Sequence, residues 1–321
     1  MCKTEKKPLF TILVNSCDAY EDLWVPFFTL LKRYWNPTNI RILLNTESKD
    51  FAFDGLNIEC VHSPVNCPYG KRMLNALSHV TTPYVFVLLD DFFIRKPVDI
   101  DRINKVISWM EADPDIACFT SDCTKTYADW EVDRYPGFRR VPPGNSFTLN
   151  LQAAMWRTKT FCSYWLPNVS PWEWEEYSNI LTVRKPRHKF YCTLDWKDAL
   201  CDYGYKSSGM GVYHGQWVIE DVAPLFEKEQ IIVDYSIRGI YSGVQSRQGI
   251  GSPEGRRVLL NRICRCLGLR ETFSFLLFCI TKRIPGSITA TQRDYFVFLK
   301  KQAQIKFFRE NGQESPFSNK E

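Results

Sequence analysis

Two adjacent acids, Asp90 and Asp91, interrupt the run YVFVLLDDFF just after six apolar residues, Tyr84 to Leu89. A strand buried on both faces reads as such an unbroken apolar run. A carboxylate pair at its end is costly to bury unless a cation or hydrogen-bond donors meet it. One chemistry suits that placement. Mg²⁺ or Mn²⁺ takes oxygen ligands from one or two carboxylates and completes its shell with substrate phosphates. Such an ion neutralises the charge that develops on a departing diphosphate. The alternative is a helix or turn cap. Other polar groups end apolar runs in the same way: Asn15, Ser16 and Asp18 follow LFTILV, and Glu47 follows IRILLNT.

These residues need elements that bring strand ends together. LFTILV reads as a first strand, and residues 23–35 (LWVPFFTLLKRYW) read as a helix with Pro26 in its first turn. IRILLNTES and LNIECVHSP read as two further strands. GKRMLNALSHV is a helix, with Met73, Leu74, Leu77 and Val80 at helical spacing. The YVFVLL strand follows, then a helix over 101–111 and a strand at DIACFT. The order β-α-β-β-α-β-α-β predicts an α/β fold, a mostly parallel sheet covered by helices. Ligands of such sheets sit outside the carboxyl ends of the strands, which is where the polar groups above collect. Beyond residue 125 the texture changes. Residues 127–146 are rich in Pro, Gly, Arg and aromatics, as in a loop-built site. LNLQAAMWRTKTFCSYWL returns to strand then helix, and NVSPWEWEEYSNIL is a helix start with Ser170 as N-cap, Pro171 at N1 and Glu173 at N3. IIVDYSI reads as a late strand.

Composition bounds the classes. The chain has 321 residues, 45% hydrophobic and 24% charged, ordinary for a globular protein, and 15% aromatic, which is high. Large aromatics fill cores, or offer flat faces to sugars and bases. Twelve cysteines are scattered without a C-x-x-C pair, so they read as small apolar residues of a reducing compartment rather than a disulfide or zinc framework. Leu9 to Val14 is too short for a signal peptide, and no window reaches the roughly 20 apolar residues of a membrane span. The expected location is the cytoplasm.

YGKRMLNALSHVTTPYVFVLLDDFF resembles the core of GT-A-type glycosyltransferases, nearest to sugar transferases of bacterial capsule and other surface-polysaccharide synthesis. Gly70, Arg72, Asn75 and Ala76 match that family's helix, and Asp90-Asp91 fall at its Asp-x-Asp motif. The window reads Leu-Asp-Asp, so with Leu89 at the first motif position Asp91 becomes the metal ligand. The resemblance implies a catalytic domain over about residues 1–250, with a nucleotide-sugar half to about 125 and an acceptor half after it. It implies a nucleotide-sugar donor, Mn²⁺ or Mg²⁺, and a glycan acceptor. Asn15, Ser16, Asp18, Tyr20, Arg72 and Asp90 then hold the nucleotide, Tyr20 by stacking on the base. His214, in VYHGQW, falls where many members place a late metal ligand; a lone histidine is otherwise structural. An inverting enzyme needs a carboxylate base for the acceptor hydroxyl. In WEWEE that base is Glu173 or Glu175, with Glu176 beside them. Glu173 has an equally good role in a capping box with Ser170. Trp172 and Trp174 stack on a sugar or pack. Gln152 and Arg139-Arg140 are weaker acceptor or phosphate contacts. His62, His79 and His188 have no comparable context.

Residues 251–321 read as a basic helical extension. Between Arg256 and Arg309 stand twelve Lys and Arg against two acids, Glu271 and Asp294, which leaves the rest of the chain net acidic. Phe296, Leu299, Ala303 and Phe307 share a helical face flanked by Lys300, Lys301, Lys306 and Arg309. Such a helix lies on an anionic bilayer, as a lipid-linked acceptor requires, or packs on the catalytic domain. The aromatics line a helix face rather than a stacking platform, which argues against nucleic acid. Two other functions fit parts of the pattern. A sugar nucleotidyltransferase also holds Mg²⁺ by carboxylates, but wants a glycine-rich basic loop where this chain has acidic NSCDAYED. A carbohydrate- or membrane-binding protein with a degraded site fits the incomplete Asp-x-Asp.

Overall fold

The computed structural model describes residues 8–121, 134–145, 148–204, 210–242 and 288–312. The first half alternates as the sequence implies: β1 (Phe10–Asn15), α1 (Glu21–Tyr34), β2 (Arg41–Thr46), β3 (Asn57–His62), α2 (Tyr69–Ser78), β4 (Tyr84–Leu89), α3 (Ile100–Ala112) and β5 (Ile116–Thr120). The second half adds β6 (Phe138–Val141), β7 (Ala154–Arg157), α4 (Thr158–Cys162), α5 (Pro171–Tyr177), α6 (Ile180–Arg184) and β8 (Lys189–Thr193). A short hairpin, β9 (Val212–Tyr213) and β10 (Gln216–Trp217), precedes α7 (Ile219–Lys228), and α8 (Ile288–Glu310) follows.

Eight strands form one sheet in the order β3-β2-β1-β4-β7-β5-β8-β6. β1, β2, β3 and β4 are mutually parallel, β5 is parallel to β8, and β7 and β6 run against their neighbours. The fold is therefore α/β, with a large, mostly parallel central sheet flanked by helices. Both sheet faces are buried, which explains the unbroken apolar runs. Ile12, Val14, Phe86 and Leu88 point into one core with α1 and α3. Leu13, Leu43, Val85 and Val87 point into the other with α2, α4 and α5. In register, Asn15 lies beside Asn45 on β2 and Leu89 on β4, so the three strands end level.

Some local expectations shift. α1 begins at Glu21, so Pro26 falls in its second turn. IIVDYSI is not a strand. Ile232 is 97% exposed, and Asp234 accepts hydrogen bonds from Ser236 N (2.9 Å) and Oγ (2.6 Å), closing a 3-10 turn over Tyr235–Ile237. α8 docks on the protein: Phe307 and Phe308 are buried, Leu299 packs on the second core, and the Arg140 guanidinium covers the Phe307 ring at 5.3 Å. Part of the apolar face expected to meet a bilayer is thus spent internally. No described helix is long and apolar enough to cross a membrane. Residues 127–133 and 146 of the expected loop, and the extension before Ile288, lie outside the described residues.

Candidate functional site

The level ends of β1, β2 and β4 carry a connected polar cluster. Asn45 Nδ2 donates to Asn15 Oδ1 at 2.8 Å, and Asn15 Nδ2 donates to the Tyr69 hydroxyl at the start of α2. Each residue of the motif on α2 has a physical task. Gly70 lies so close to the 166–169 segment that a Cβ would stand 1.9 Å from the Leu166 carbonyl oxygen. Arg72 pairs with Glu47 at 2.5 Å and donates to the Ser16 carbonyl, joining the ends of β2 and β1. Asn75 donates to His62 O (2.9 Å) and Ser63 Oγ (3.1 Å) beyond β3, and Ala76 is fully buried. Arg72 is itself buried, so its first task is to position the strand ends.

Asp18 holds the loop after β2. Its carboxylate accepts from the Ser48 hydroxyl at 2.6 Å and from the backbone N–H groups of Glu47, Ser48 and Lys49. Partial desolvation pushes its carboxyl up, but these donors, Ser48 first, outweigh it and bring it down to about 2.

The acid pair is in the opposite condition. Asp90 and Asp91 are 5% and 8% exposed. They cap no helix; Asp99 caps α3, its carboxylate accepting from Arg102 N at 3.0 Å. The turn that carries them is pinned by the next two residues, Phe92 stacking on Tyr203 at 4.3 Å and Phe93 on Trp217 at 6.0 Å. Asp90 accepts from the Ser16 hydroxyl, whose oxygen accepts from Trp24 Nε1 at 2.6 Å. Burial, then the charge of Asp91, drives the Asp90 carboxyl well above the usual range, against Ser16 and Arg238. Burial pushes Asp91 up to about 7, opposed by the N–H groups of Asp91 and Val212 and by the Arg238 charge. Gly211 passes directly over this turn, its N–H 3.2 Å from the Asp91 carbonyl oxygen, where a Cβ would lie 2.5 Å from the Phe93 ring.

Tyr20 lies nearby. Burial, then Asp91 and Asp90, push its hydroxyl up to about 12, and the Arg238 guanidinium covers one ring face at 4.1 Å. Burial, then Asp90 and Glu47, also raise the Cys17 thiol to about 11, so it is no nucleophile at neutral pH.

The remaining candidates divide. Glu173 closes the capping box: its Oε2 accepts from Ser170 N at 2.8 Å while Ser170 Oγ accepts from Glu173 N at 3.3 Å. Glu175 accepts from Leu151 N at 2.7 Å. It also lies within electrostatic reach of the cluster: burial first, then Glu175, with Asp90 and Asp91 behind it, hold the Tyr69 hydroxyl far above its ordinary range. Trp174 is core, stacked on Trp165 at 4.3 Å, whereas Trp172 is 54% exposed. Gln152 Oε1 accepts from the Tyr203 hydroxyl at 3.0 Å. Arg139 and Arg140 stand on β6, the far edge of the sheet. His214 is the exposed turn residue of the β9–β10 hairpin, with φ of 50° followed by Gly215 at 80°, the signature of a I′ turn.

The described residues contain no group of three His, Cys, Asp or Glu side chains that could enclose a metal ion. The acid pair nevertheless fits a hard divalent cation that completes its shell with substrate oxygens: two adjacent carboxylates sit in one buried turn at the strand ends. Reasoning from sequence missed Tyr69, Asn45 and Arg238. Asn45 carried a readable signal, an apolar run ending in Asn as in β1. Arg238 carried none, since it meets Asp22 across 216 positions.

No family model and no curated protein matches the chain. Among solved structures, it is similar to S. aureus TarS 1-349 in complex with UDP-GlcNAc: 12% identity over 95% of this chain and 93% of that one, TM-score 0.40. Against a longer S. aureus TarS structure the chain spans 38% of that length, with 12% identity over 60% of this chain and TM-score 0.37. It is similar also to the galactosyltransferase LgtC in complex with donor and acceptor sugar analogs (12% identity, 48% of this chain and 59% of that one, TM-score 0.33). A fourth similar structure is CMP:2-keto-3-deoxy-manno-octonic acid synthetase complexed with CTP (10% identity, 58% and 89%, TM-score 0.33). At such distance, the chain's own geometry must carry the functional reading.

Proposed function

We propose that the protein is a GT-A-type glycosyltransferase. It moves a sugar from a nucleoside-diphosphate sugar to a hydroxyl of a glycan acceptor, with inversion, in bacterial surface-polysaccharide synthesis. A lipid-linked acceptor suits the basic extension. The observation that supports this most is the buried Asp90–Asp91 pair at the carboxyl end of β4, level with the polar ends of β1 and β2. That is where an open parallel sheet binds nucleotides, and burial drives both carboxyls upward there. Mn²⁺ or Mg²⁺, held by Asp91 with Asp90 beside it, would supply a counter-charge for the leaving diphosphate. Asn15, Ser16 and Tyr20 would face the nucleoside, and Arg72 with Asp18 would hold the loops that shape that surface. The acceptor's proton goes to Glu175, because Glu173 is committed to its capping box. Trp172 is the exposed ring available to a sugar.

The test is calorimetry with UDP and GDP in the presence of Mn²⁺, followed by a screen of nucleotide-sugar hydrolysis. Asp91→Ala should abolish metal-linked nucleotide binding and lower turnover by about 10²- to 10³-fold, the scale of a lost metal counter-charge. Nucleotide binding that ignores this substitution, or no binding at all, would sink the proposal and favour a non-catalytic carbohydrate binder.

A further inference from the structure

Arg238, late in the chain, acts electrostatically on the acid pair. Its chain segment is well fixed. Trp217 N donates to Gly239 O at 3.0 Å, Tyr241 N donates to Trp217 O at 2.9 Å, and just upstream Glu229 pairs with Arg33 at 2.6 Å. The Arg238 side chain is 6% exposed and half committed. Nε donates to Asp22 Oδ2 at 2.7 Å, while Nη2 donates to Asp22 Oδ1 and, at 2.7 Å, to the Ala19 carbonyl oxygen. The plane of the guanidinium lies on Tyr20. The other half of the fork is not committed: Nη1 makes no hydrogen bond among the described residues. A buried guanidinium anchored through Nε and Nη2 has its remaining nitrogen, Nη1, held in place by that anchoring, and a charged N–H donor suits a phosphate oxygen. Asp90 and Asp91 both register its charge.

We propose that Arg238 donates through Nη1 to the β-phosphate of the nucleotide sugar and stays on the departing nucleoside diphosphate. This deepens the nucleotide-sugar reading and rests on it. In the transfer, the bond between the anomeric carbon and the β-phosphate oxygen breaks and its electron pair stays on that oxygen. The acceptor oxygen bonds to the anomeric carbon, and its proton passes to Glu175. The Arg238 hydrogen bond strengthens as the β-phosphate gains charge, so it favours the transition state over the bound substrate. Anchoring by Asp22 means that no side-chain order has to be imposed when the substrate binds.

The experiment compares nucleoside diphosphates with monophosphates, because only the former carry a β-phosphate. The affinities of UDP, UMP, GDP and GMP are measured by calorimetry with Mn²⁺ for the full chain, Arg238→Met and Arg238→Lys. Arg238→Met should weaken the diphosphate by about 10- to 100-fold, the scale of one charge-assisted hydrogen bond, and leave the monophosphate unchanged. Arg238→Lys keeps the charge and should show the same selective loss in smaller measure, which also serves if the Met variant does not fold. Equal losses for diphosphate and monophosphate would mean that Arg238 only holds the 19–22 turn, and would overturn the proposal. No change in either affinity would overturn it too. If the unaltered chain binds none of the four nucleotides, the nucleotide-sugar reading falls, and this inference with it.

Discussion

The loops that leave β1 and β4 carry carboxylates in opposite conditions. Asp18 is surrounded by donors: three backbone N–H groups and a hydroxyl hold its charge in place. Asp91, one strand away, is buried beside a second carboxylate, and its proton is held up to about pH 7. The first is a finished structural joint. The second is one of two adjacent acids that burial holds towards the protonated form. A carboxylate ringed by donors keeps its charge and positions the chain; a buried pair of acids whose carboxyls are pushed up is the kind of group functional sites carry.

That contrast can be broken at several points. The largest effect should come from Arg72→Met, which strands the Glu47 carboxylate, 15% exposed, without its cation. A loss of about 3–5 kcal/mol in urea unfolding is expected; a loss below about 1 kcal/mol would show that the strand ends hold together without this pair. Next is pH. The Asp91 carboxyl rises from an ordinary 3.8 to about 7, so the folded state holds its proton more tightly than the unfolded chain does. Its contribution is complete below about pH 4 and is lost as pH rises through 7, by up to roughly 4 kcal/mol. The metal-free protein should therefore melt lower at pH 8 than at pH 5, Asp91→Asn should flatten that slope, and Mn²⁺ should raise the pH 8 value towards it. Asp18 has the reverse sign. With its carboxyl lowered from 3.8 to about 2, its contribution is present above about pH 4 and disappears as pH falls through 2. Asp18→Ala should cost about 1–2 kcal/mol near neutrality from lost charge-assisted hydrogen bonds, and chemical unfolding at pH 7 checks it. The smallest effect is expected for Glu173→Ala, about 0.5–1 kcal/mol from half a capping box. Its turnover should be intact while Glu175→Gln loses turnover; the opposite pattern would reassign the base.

Legibility in the sequence followed the range of the interactions. The first four strands and first three helices could be placed within a few residues, because double-sided burial writes continuous apolar runs and each helix its 3.6-residue period. The strand-end cluster was legible for the same reason. The capping box of α5 was visible in SPWE, a purely local device. IIVDYSI misled because β-branched residues resemble a strand wherever they stand, and only the lack of a neighbouring strand and the Asp234 turn decide otherwise. The backbone role of His214 was likewise not legible in VYHGQW: it is one of the two tight-turn residues of a hairpin.

The sequence by itself determined the α/β order, the polar ends of the strands and the presence of an acid pair at one of them. These rest on periodicity and on neighbours along the chain. Only the tertiary structure decided which acids are satisfied. It gave Asp18 the amides of another loop, Glu47 the guanidinium of α2 and Asp22 an arginine 216 positions away. Whether a carboxylate is a joint or a site depends on burial and on donors brought in from elsewhere, and neither is a property of the residue or of its neighbours in sequence.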